Sequence, residues 1–366
     1  MRAPFLLITG LGLVGCPSDY EVLPKAPDVD PGEVTECGFT QVEGTDFYSY
    51  DCNPVFTTSG EEWAGAIGNT TFNVTEVLGH PFYQLWYVGA PNDSVMGQYG
   101  LGYAVSDNGT RWTANPANPL LEAPPQPAAW NHSGMQGMQI VWDPTAEIYL
   151  LLYGGYNVDT NPSQWELGVA SSPDGTAWTQ SASNPVFDLT QPQGDVLGWC
   201  WPLGLSLGSV GGYKGYVAGY DTFDGACGMY SLSSTDGETW HMDTEPVLQE
   251  GPANSWYDQG FISTSTAKLG DTWYLFFVGF GDWEQYQGYQ SSKNMFLGWA
   301  TSPTQGDWQI QRDRIPIHQT AVGEVGSVAA VRVGSRIHLW VTDNWGGTTG
   351  VGYFLFDPYA AGDTGE

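Results

Sequence analysis

Positive charge is scarce in this sequence of 366 residues. Lys and Arg together number 10 against 40 Asp and Glu, so the formal net charge is −30. Such an acidic surface repels nucleic-acid phosphates and anionic lipid headgroups, and we therefore expect no nucleic-acid partner. Acidic excess alone would indicate disorder, but 17 Trp, 20 Tyr and 15 Phe favour a packed fold.

Long hydrophobic runs are also missing at the N-terminus, where the apolar stretch from Phe5 to Val14 is too short to span a bilayer. It ends in Leu13-Val14-Gly15-Cys16, which resembles a bacterial lipobox. The resemblance implies a lipoprotein signal peptide over residues 1–15 and acylation of Cys16, with an ordinary secretory signal as the alternative. Residues 16–46 are acidic and rich in Pro and Gly, and we interpret them as a tether. We expect the protein in the bacterial cell envelope, facing the periplasm or the exterior, with the lipid anchor as its only membrane contact.

Cysteine is rare, and its spacing does not resemble a zinc site. Apart from Cys16, four cysteines remain, and closeness in sequence favours Cys37 with Cys52 and Cys200 with Cys227. Three pairings are open, and free buried thiols are the alternative.

A twelve-residue pattern recurs along the chain. In Leu167 to Trp178 an apolar run leads into Ser172-Pro173-Asp174-Gly175 and then Trp178, and Asp-Gly between such runs is typical of a hairpin. The same pattern ends at Trp112, Trp240 and Trp308, so the tryptophans are 66, 62 and 68 residues apart. Each copy is followed by a Pro-marked strand and preceded by two further strand-like runs.

Four strands per unit at a near-fixed period predict a β-propeller. A fifth unit, Glu324 to Leu355, lacks its last strand, and an orphan copy of that strand stands at Asp51 to Phe56. We therefore predict an all-β, five-bladed propeller of four-stranded blades over residues 47–358, whose ring is closed by the N-terminal strand. Residues 359–366 are a disordered tail in this prediction.

The hairpins and Pro-marked strands together resemble the five-bladed glycosidase superfamily of invertase, levansucrase, arabinanase and β-xylosidase. The resemblance implies a carbohydrate partner and two or three carboxylates at the starts of the innermost strands. Aligning those strands on Gly65, Gly134, Gly198, Gly260 and Gly326 brings the family's acid positions near Asn69, Gly137 and Trp201. None of these three is a carboxylate.

Four acids stand slightly earlier in the same register, and we name them as catalytic candidates: Glu62, Asp195, Asp258 and Glu324. Glycoside hydrolysis needs two carboxyl groups, about 5–5.5 Å apart for retention and farther apart for inversion. One of them must hold its proton near neutral pH. The alternative is that all four are solvated loop acids.

The candidate ligand-binding residues come from the same strand starts and from the ends of the second strands. Aromatic side chains there could stack on sugar rings, and polar ones could bind hydroxyls, with core packing as the alternative for the aromatics. The set comprises Trp63, Trp130, Asn131, His132, Trp199, Trp201, Trp256, Asp221, Asp282, Asp343 and Trp345. The Asp-Gly hairpins join third to fourth strands and so lie on the opposite face, which makes Asp174 and Asp236 structural in this interpretation.

Two functions stay open at this point. One is a cell-surface glycosidase acting on a polysaccharide or oligosaccharide at the central mouth. The other is a non-catalytic propeller that binds a glycan or a protein there. No cofactor is required by either, although the many acidic oxygens could take Ca²⁺ in an adhesive role. We expect a monomer.

Overall fold

The structure is a computed structural model that describes residues 37–58, 63–77, 79–90, 99–126, 128–157, 161–188, 198–220, 228–253, 255–286, 289–311, 314–315, 325–345 and 349–359. Of residues 90, 161–165, 198–201, 220, 282–286 and 289–294 it describes the backbone only. The secondary structure in these ranges consists of β-strands. They contain no helix long and apolar enough to cross a membrane.

The strands fall into five antiparallel sheets. The N-terminal strands are β1 (Phe39–Gln41), β2 (Phe47–Tyr50) and β3 (Phe56–Thr57). Blade one holds β4 (Ala66–Val77), β5 (His80–Ala90), β6 (Gly100–Ser106), β7 (Thr113–Ala114) and β8 (Leu121–Glu122). Blade two holds β9 (Gly134–Asp143), β10 (Ile148–Asn157), β11 (Asn161–Ser172), β12 (Thr179–Gln180) and β13 (Phe187–Asp188).

The later blades follow the same order from the axis outward. Blade three holds β14 (Gly198–Leu207), β15 (Tyr213–Tyr220), β16 (Gly228–Ser234) and β17 (His241–Met242). Blade four holds β18 (Gly260–Leu269), β19 (Thr272–Tyr286), β20 (Tyr289–Ser302) and β21 (Gln309–Ile310). Blade five holds β22 (Ser327–Val333), β23 (Arg336–Asn344) and β24 (Thr349–Phe356), together with β1 to β3.

The first strands of the five blades form a closed ring. Each of β4, β9, β14, β18 and β22 contacts the first strand of the next blade, and β22 returns to β4. Side-chain hydroxyls join neighbouring strands, as where Thr70 N donates to Ser327 Oγ over 3.2 Å and Val328 N donates to Ser263 Oγ over 3.3 Å. The prediction of an all-β five-bladed propeller is confirmed.

Hydrophobic cores lie between consecutive blades. The core between blades five and one, for example, contains Phe72 stacked on Trp340, with ring centroids 4.4 Å apart and planes 6° apart. Four of the five cores include or contact the tryptophan that closes the repeated hairpin, namely Trp112, Trp178, Trp240 and Trp308. These tryptophans occupy the inter-blade position that their equal spacing indicates.

Ring closure by the N-terminal segment is confirmed, and it involves more residues than the predicted strand from Asp51 to Phe56. The outer strand of blade five is β2, which pairs with β24 through Phe47↔Phe356, and β3 pairs with the other end of β24 through Val351↔Phe56. Most of the expected strand from Asp51 to Phe56 is instead the connection between β2 and β3. The sheet also extends into the expected tether, because β1 pairs with β2 and the Phe39 ring packs 5.2 Å from that of Tyr353.

Cys37 and Cys52 form a disulfide, the pairing that sequence proximity favours. Its Cα atoms are 5.7 Å apart, and it joins the start of β1 to the turn after β2. The Cys200 side chain and Cys227 lie outside the described part of the chain, as does Cys16, so their chemistry stays a prediction.

In blades one and two, the hairpin's return strand and the Pro-marked strand are two short strands, and the asparagine that opens the Pro-marked segment lies between them. Asn118 lies between β7 and β8, where its Oδ1 accepts from Tyr103 N and its Nδ2 donates to Tyr103 O, both over 3.0 Å. Asn184 makes the same pair of bonds to Val169 over 2.9 Å. Asn53 makes them to Tyr353, so a side-chain amide takes the place of a backbone residue in three of the five sheets.

The Asp-Gly turns are held by local hydrogen bonds and contact the preceding blade. Asp174 Oδ1 accepts from Thr176 N and Ala177 N over 2.8 Å, and Ser172 Oγ accepts from Gly175 N over 2.9 Å. Gly175 O accepts from Trp86 Nε1 of blade one over 2.7 Å. These contacts account for Asp174 without any ligand and agree with a structural role.

Candidate functional site

The order of strands brings the first-strand starts and the second-strand ends to one side of the ring, which we call the mouth face. The repeated hairpins join third to fourth strands and lie on the opposite side, the far face. Since the predicted ligand-binding residues come from strand starts and second-strand ends, those within the described ranges lie towards the mouth face.

Four of the innermost strands are bulged soon after they leave the mouth face. In blade one the register shifts between Ile67 and Thr70, which leaves Gly68 and Asn69 opposite Val88. Blade two has Gly137 and Met138 opposite Tyr153, and blade three has Cys200 and Trp201 opposite Ala218. Blade four has a shift of the same size, one residue, at Ile262. Bulges of this kind re-aim side chains and occur often beside active sites.

Of the four candidate catalytic acids, one lies in the described ranges. Asp258 is partly exposed in the turn before β18, and Gln259 Nε2 donates to its Oδ1 over 3.5 Å. A Cβ on Gly281 would stand 3.0 Å from the same oxygen, so this glycine lets the carboxylate approach the second strand. Glu62, Asp195 and Glu324 lie outside the described residues, and a working pair among the four stays a prediction.

Four of the six candidate tryptophans pack on glycines of their own blade. A Cβ on Gly102 would stand 2.7 Å from the Trp63 ring, and Trp63 stacks on Tyr87 with centroids 5.6 Å apart. Equivalent platforms support the remaining three: Trp130 on Gly155 and Gly168, Trp256 on Gly279 and Gly298, and Trp345 on Gly352. All four are partly exposed, whereas the side chains of Trp199 and Trp201 lie outside the described part of the chain.

The polar candidates of blade two are held in a turn before β9. Asn131 is 1 % exposed, and among the described atoms its Nδ2 has no hydrogen-bond acceptor. His132 Nδ1 lies 2.9 Å from the Pro124 carbonyl, which can only accept, so this nitrogen carries the proton. Asn157 Nδ2 donates to Ala129 O over 2.7 Å and fixes the same turn.

Of the three second-strand acids, Asp343 and the backbone of Asp282 lie in the described ranges. Asp343 is 6 % exposed near the end of β23, and its Oδ1 accepts from Asn344 N over 2.7 Å. Asp282 does not end its strand as predicted, because β19 continues to Tyr286. The strand continues because no turn-forming residue follows Asp282 until Gly288. Asp221 lies outside the described residues.

One acid pair escaped the sequence analysis. Glu166 on β11 lies directly opposite Asp188 on β13. Burial and the Asp188 carboxylate raise the pKa of Glu166. These strands are the third and fourth of their blade, so the pair lies about 10 Å outward from the innermost strand. The signal in the sequence is an acid at the start of a third strand with another beside the Pro-marked strand.

Metal ligands do not converge within the described ranges, where no group of three or more His, Cys, Asp or Glu could hold an ion. A role for Ca²⁺ therefore stays a prediction.

Comparisons with known proteins identify the architecture. No family model matches the sequence, and no curated protein matches it. Among solved structures, a β-1,2-mannobiose phosphorylase from Listeria innocua is 12% identical with a TM-score of 0.58, over 86% of this chain and 97% of that one. A thermostable family-43 glycoside hydrolase is 16% identical with a TM-score of 0.55, over 81% and 91%. The fold is that of the glycosidase propellers.

A third solved structure, that of the GH32 β-fructofuranosidase of Bombyx mori, is 14% identical with a TM-score of 0.56. The match covers 80% of this chain and 59% of that enzyme. The three neighbours are named for different reactions. A shared fold therefore does not fix the reaction, which depends on the residues at the site.

The bulges in blades one, two and three coincide with the positions that the family resemblance assigns to catalytic acids. They carry Asn69 in blade one, Gly137 in blade two and Trp201 in blade three. An amide, a hydrogen atom and an indole cannot serve as general acid, general base or carboxylate nucleophile. The bulged strands of blades one, two and three thus carry no carboxylate at these positions.

Proposed function

We propose that this protein binds a carbohydrate at the mouth face and does not hydrolyse it through the superfamily's acid positions. The observation that carries the proposal is that the inner-strand bulges of blades one, two and three carry no carboxylate. The glycan-active neighbours of the same fold support carbohydrate as the ligand class. Partly exposed tryptophans and amides near the mouth supply the stacking and hydrogen-bonding groups that sugars need.

The charge of the chain narrows the ligand class. A net charge of −30 disfavours polyanionic polymers such as polyuronates. Neutral glycans, or glycans that carry amines, are therefore the preferred ligands.

The location in this proposal is the bacterial cell envelope, through acylation of Cys16. The substitution Cys16→Ala should abolish palmitate labelling and release the protein from the membrane fraction. Retention in that fraction would show that another feature holds the protein there.

The functional test combines binding with turnover. Xylo-, arabino-, manno- and fructo-oligosaccharides are titrated by calorimetry, and the same sugars and nitrophenyl glycosides are incubated for product release. Binding without turnover is the expected result. Turnover that disappears in an Asp195→Asn, Asp258→Asn double variant would establish the alternative, hydrolysis by the earlier acids.

Two single variants locate the binding face. Asn69 and Asn115 are both partly exposed asparagines of blade one, one in the bulge and one in the outer-strand region. Asn69→Ala should weaken glycan binding, and Asn115→Ala should leave it unchanged. The reverse order would place the ligand away from the mouth face.

A further inference from the structure

Three blades share one arrangement near the mouth face. In each, the tryptophan of the turn before the first strand lies against a glycine of the second strand, and the residue after that tryptophan packs on the same glycine. A Cβ on this glycine would stand 2.3 to 2.7 Å from the tryptophan ring and 2.5 to 2.6 Å from the Cβ of the following residue. The tryptophan and glycine pairs are Trp63 with Gly89, Trp130 with Gly155, and Trp256 with Gly279.

The shared arrangement fixes the backbone at two further positions and leaves their side chains to each blade. One is the residue after the tryptophan, and the other is the third-strand residue directly opposite the glycine. These positions hold Ala64 with Gly100 in blade one, Asn131 with Glu166 in blade two, and Tyr257 with Phe296 in blade four. Because blade one has the same arrangement with alanine and glycine, the scaffold requires neither the amide nor the acid of blade two.

The polar side chains of blade two share one face of its sheet. Glu166 is directly opposite Gly155 on one side and directly opposite Asp188 on the other. Side chains of directly opposed residues project from the same face of a sheet. Both carboxylates therefore stand on the face that Trp130 and Asn131 cover at Gly155. A partly exposed indole, a buried amide and two carboxylates thus lie together near the mouth-side end of this blade.

The fold satisfies neither the amide nor the partly buried carboxyl. Asn131 is 1 % exposed, and its Nδ2 has no acceptor among the described atoms. The Glu166 carboxyl makes no hydrogen bond within the described ranges, and burial together with the Asp188 carboxylate raises its pKa. A buried donor without an acceptor and a pair of like charges both cost free energy. A ligand that supplies an acceptor oxygen and a positive charge would remove both costs.

An ammonium group on a sugar ring fits this face. Hydrogen bonds from a cation to a carboxylate are stronger than neutral ones. The indole of Trp130 attracts cations and can also stack on the sugar ring, while a sugar hydroxyl can accept from Asn131 Nδ2. A calcium ion fits less well, because it takes about six to eight oxygen ligands and the described part of this face offers two carboxylates.

We propose that Trp130, Asn131, Glu166 and Asp188 form a subsite for an amino sugar, whose ammonium group binds at the two carboxylates. The inference rests on the proposed function and names the sugar class that this part of the mouth face takes. Of the neutral and amine-bearing glycans that the charge of the chain favours, it selects the amine-bearing ones.

The test uses β-1,4-linked hexasaccharides of glucosamine, N-acetylglucosamine and glucose. Their sugars differ at the second carbon, which carries an ammonium, an acetamide or a hydroxyl group. Calorimetry at pH 6, where the amines are largely protonated, compares the wild type with Glu166→Gln, Asn131→Ala and Glu122→Gln. Glu122 is the matched control, because it is an exposed acid opposite Gly100 at the equivalent place in blade one. Melting temperatures show whether each variant is folded.

We expect the wild type to bind the glucosamine hexasaccharide about tenfold more tightly than the other two, as a hydrogen bond to a charged group allows. Glu166→Gln should lose this preference and keep the affinity for the two uncharged sugars. Asn131→Ala should weaken the binding of all three by a similar factor. Glu122→Gln should change none of the affinities.

The subsite would be overturned, with glycan binding at the mouth intact, by a wild type that shows no preference for the amine. The same holds for a preference that survives Glu166→Gln, or that is lost equally in Glu122→Gln and so reflects only the net charge. Wild-type protein that binds neither these sugars nor the oligosaccharides named above would overturn both proposals. Calcium binding that displaces the glucosamine hexasaccharide and disappears in Glu166→Gln would assign the carboxylates to a metal and would also overturn the inference.

Discussion

Substituting Gly175 tests whether the repeated hairpin turns lock each blade to the preceding one. This glycine has φ of +78°, and a Cβ there would stand 2.6 Å from Trp86 Cζ2. The left-handed conformation costs an alanine about 1–2 kcal/mol. Overpacking against the buried indole adds about 1–3 kcal/mol. Gly175→Ala should therefore lower the free energy of unfolding by about 2–5 kcal/mol.

The matched control is Gly334, which has φ of +62° in the turn between β22 and β23 and no atom within 4 Å of the place that a Cβ would take. Gly334→Ala carries the conformational cost of about 1–2 kcal/mol and no packing cost. Urea unfolding followed by tryptophan fluorescence measures both variants, and the difference between their midpoints isolates the contact with Trp86. Equal midpoints would refute the idea that the turn is wedged against the neighbouring blade.

Three further predictions concern charge. Glu166→Gln should raise the free energy of unfolding at pH 7 by about 0.2–1 kcal/mol, and with it the melting temperature, because the variant removes a like-charged pair with Asp188. At pH 4, where the wild-type Glu166 carboxyl holds its proton, the variant should change the melting temperature little. Burial, with Arg336 nearby, lowers the pKa of His338 to about 4. The melting temperature of the wild type should therefore fall as the pH is lowered from 6.5 to 4, because the unfolded chain binds the proton first. An equal fall in a His338→Gln variant would contradict this assignment. Hydrogen bonds from Thr239 N and Glu238 N lower the pKa of Asp236 to about 2. The stability that these bonds contribute is present above pH 4 and is lost as the pH falls towards 2. In Asp236→Asn the melting temperature should therefore change less between pH 4 and pH 2 than it does in the wild type.

The blade count and the strand starts could be predicted because they rest on a repeated period. Gly134, Gly198 and Gly260, which mark three innermost strands in the sequence alignment of the units, are the first residues of β9, β14 and β18. The period also distinguishes the inter-blade tryptophans from those near the mouth face, because a residue at the same position in four units has the same neighbours in each.

The remaining elements could not be predicted because they break the local patterns. β1 follows a Pro- and acid-rich stretch and consists of exposed residues, so no alternation of apolar and polar residues marks it. The role of Asn118 depends on a side-chain amide that replaces backbone pairing, which no periodicity reveals. The extensions of β19 beyond Gly281 and of β20 before Asn294 lack aliphatic residues, so no regular alternation of apolar and polar residues marks them.

The distinction between repeated and unrepeated positions also bears on function. Far-face turns carry the same chemistry in successive blades, as Asn108 and Asp174 both accept hydrogen bonds from the backbone two and three residues onward. The mouth-face bulges share backbone geometry, yet each carries a different side chain. A scaffold position that serves every blade equally is constrained to one kind of side chain, such as an Asn or Asp oxygen, whereas a ligand meets each blade from a different side. The asymmetric bulge residues are therefore where ligand recognition should differ from blade to blade, and the symmetric turns are where it should not.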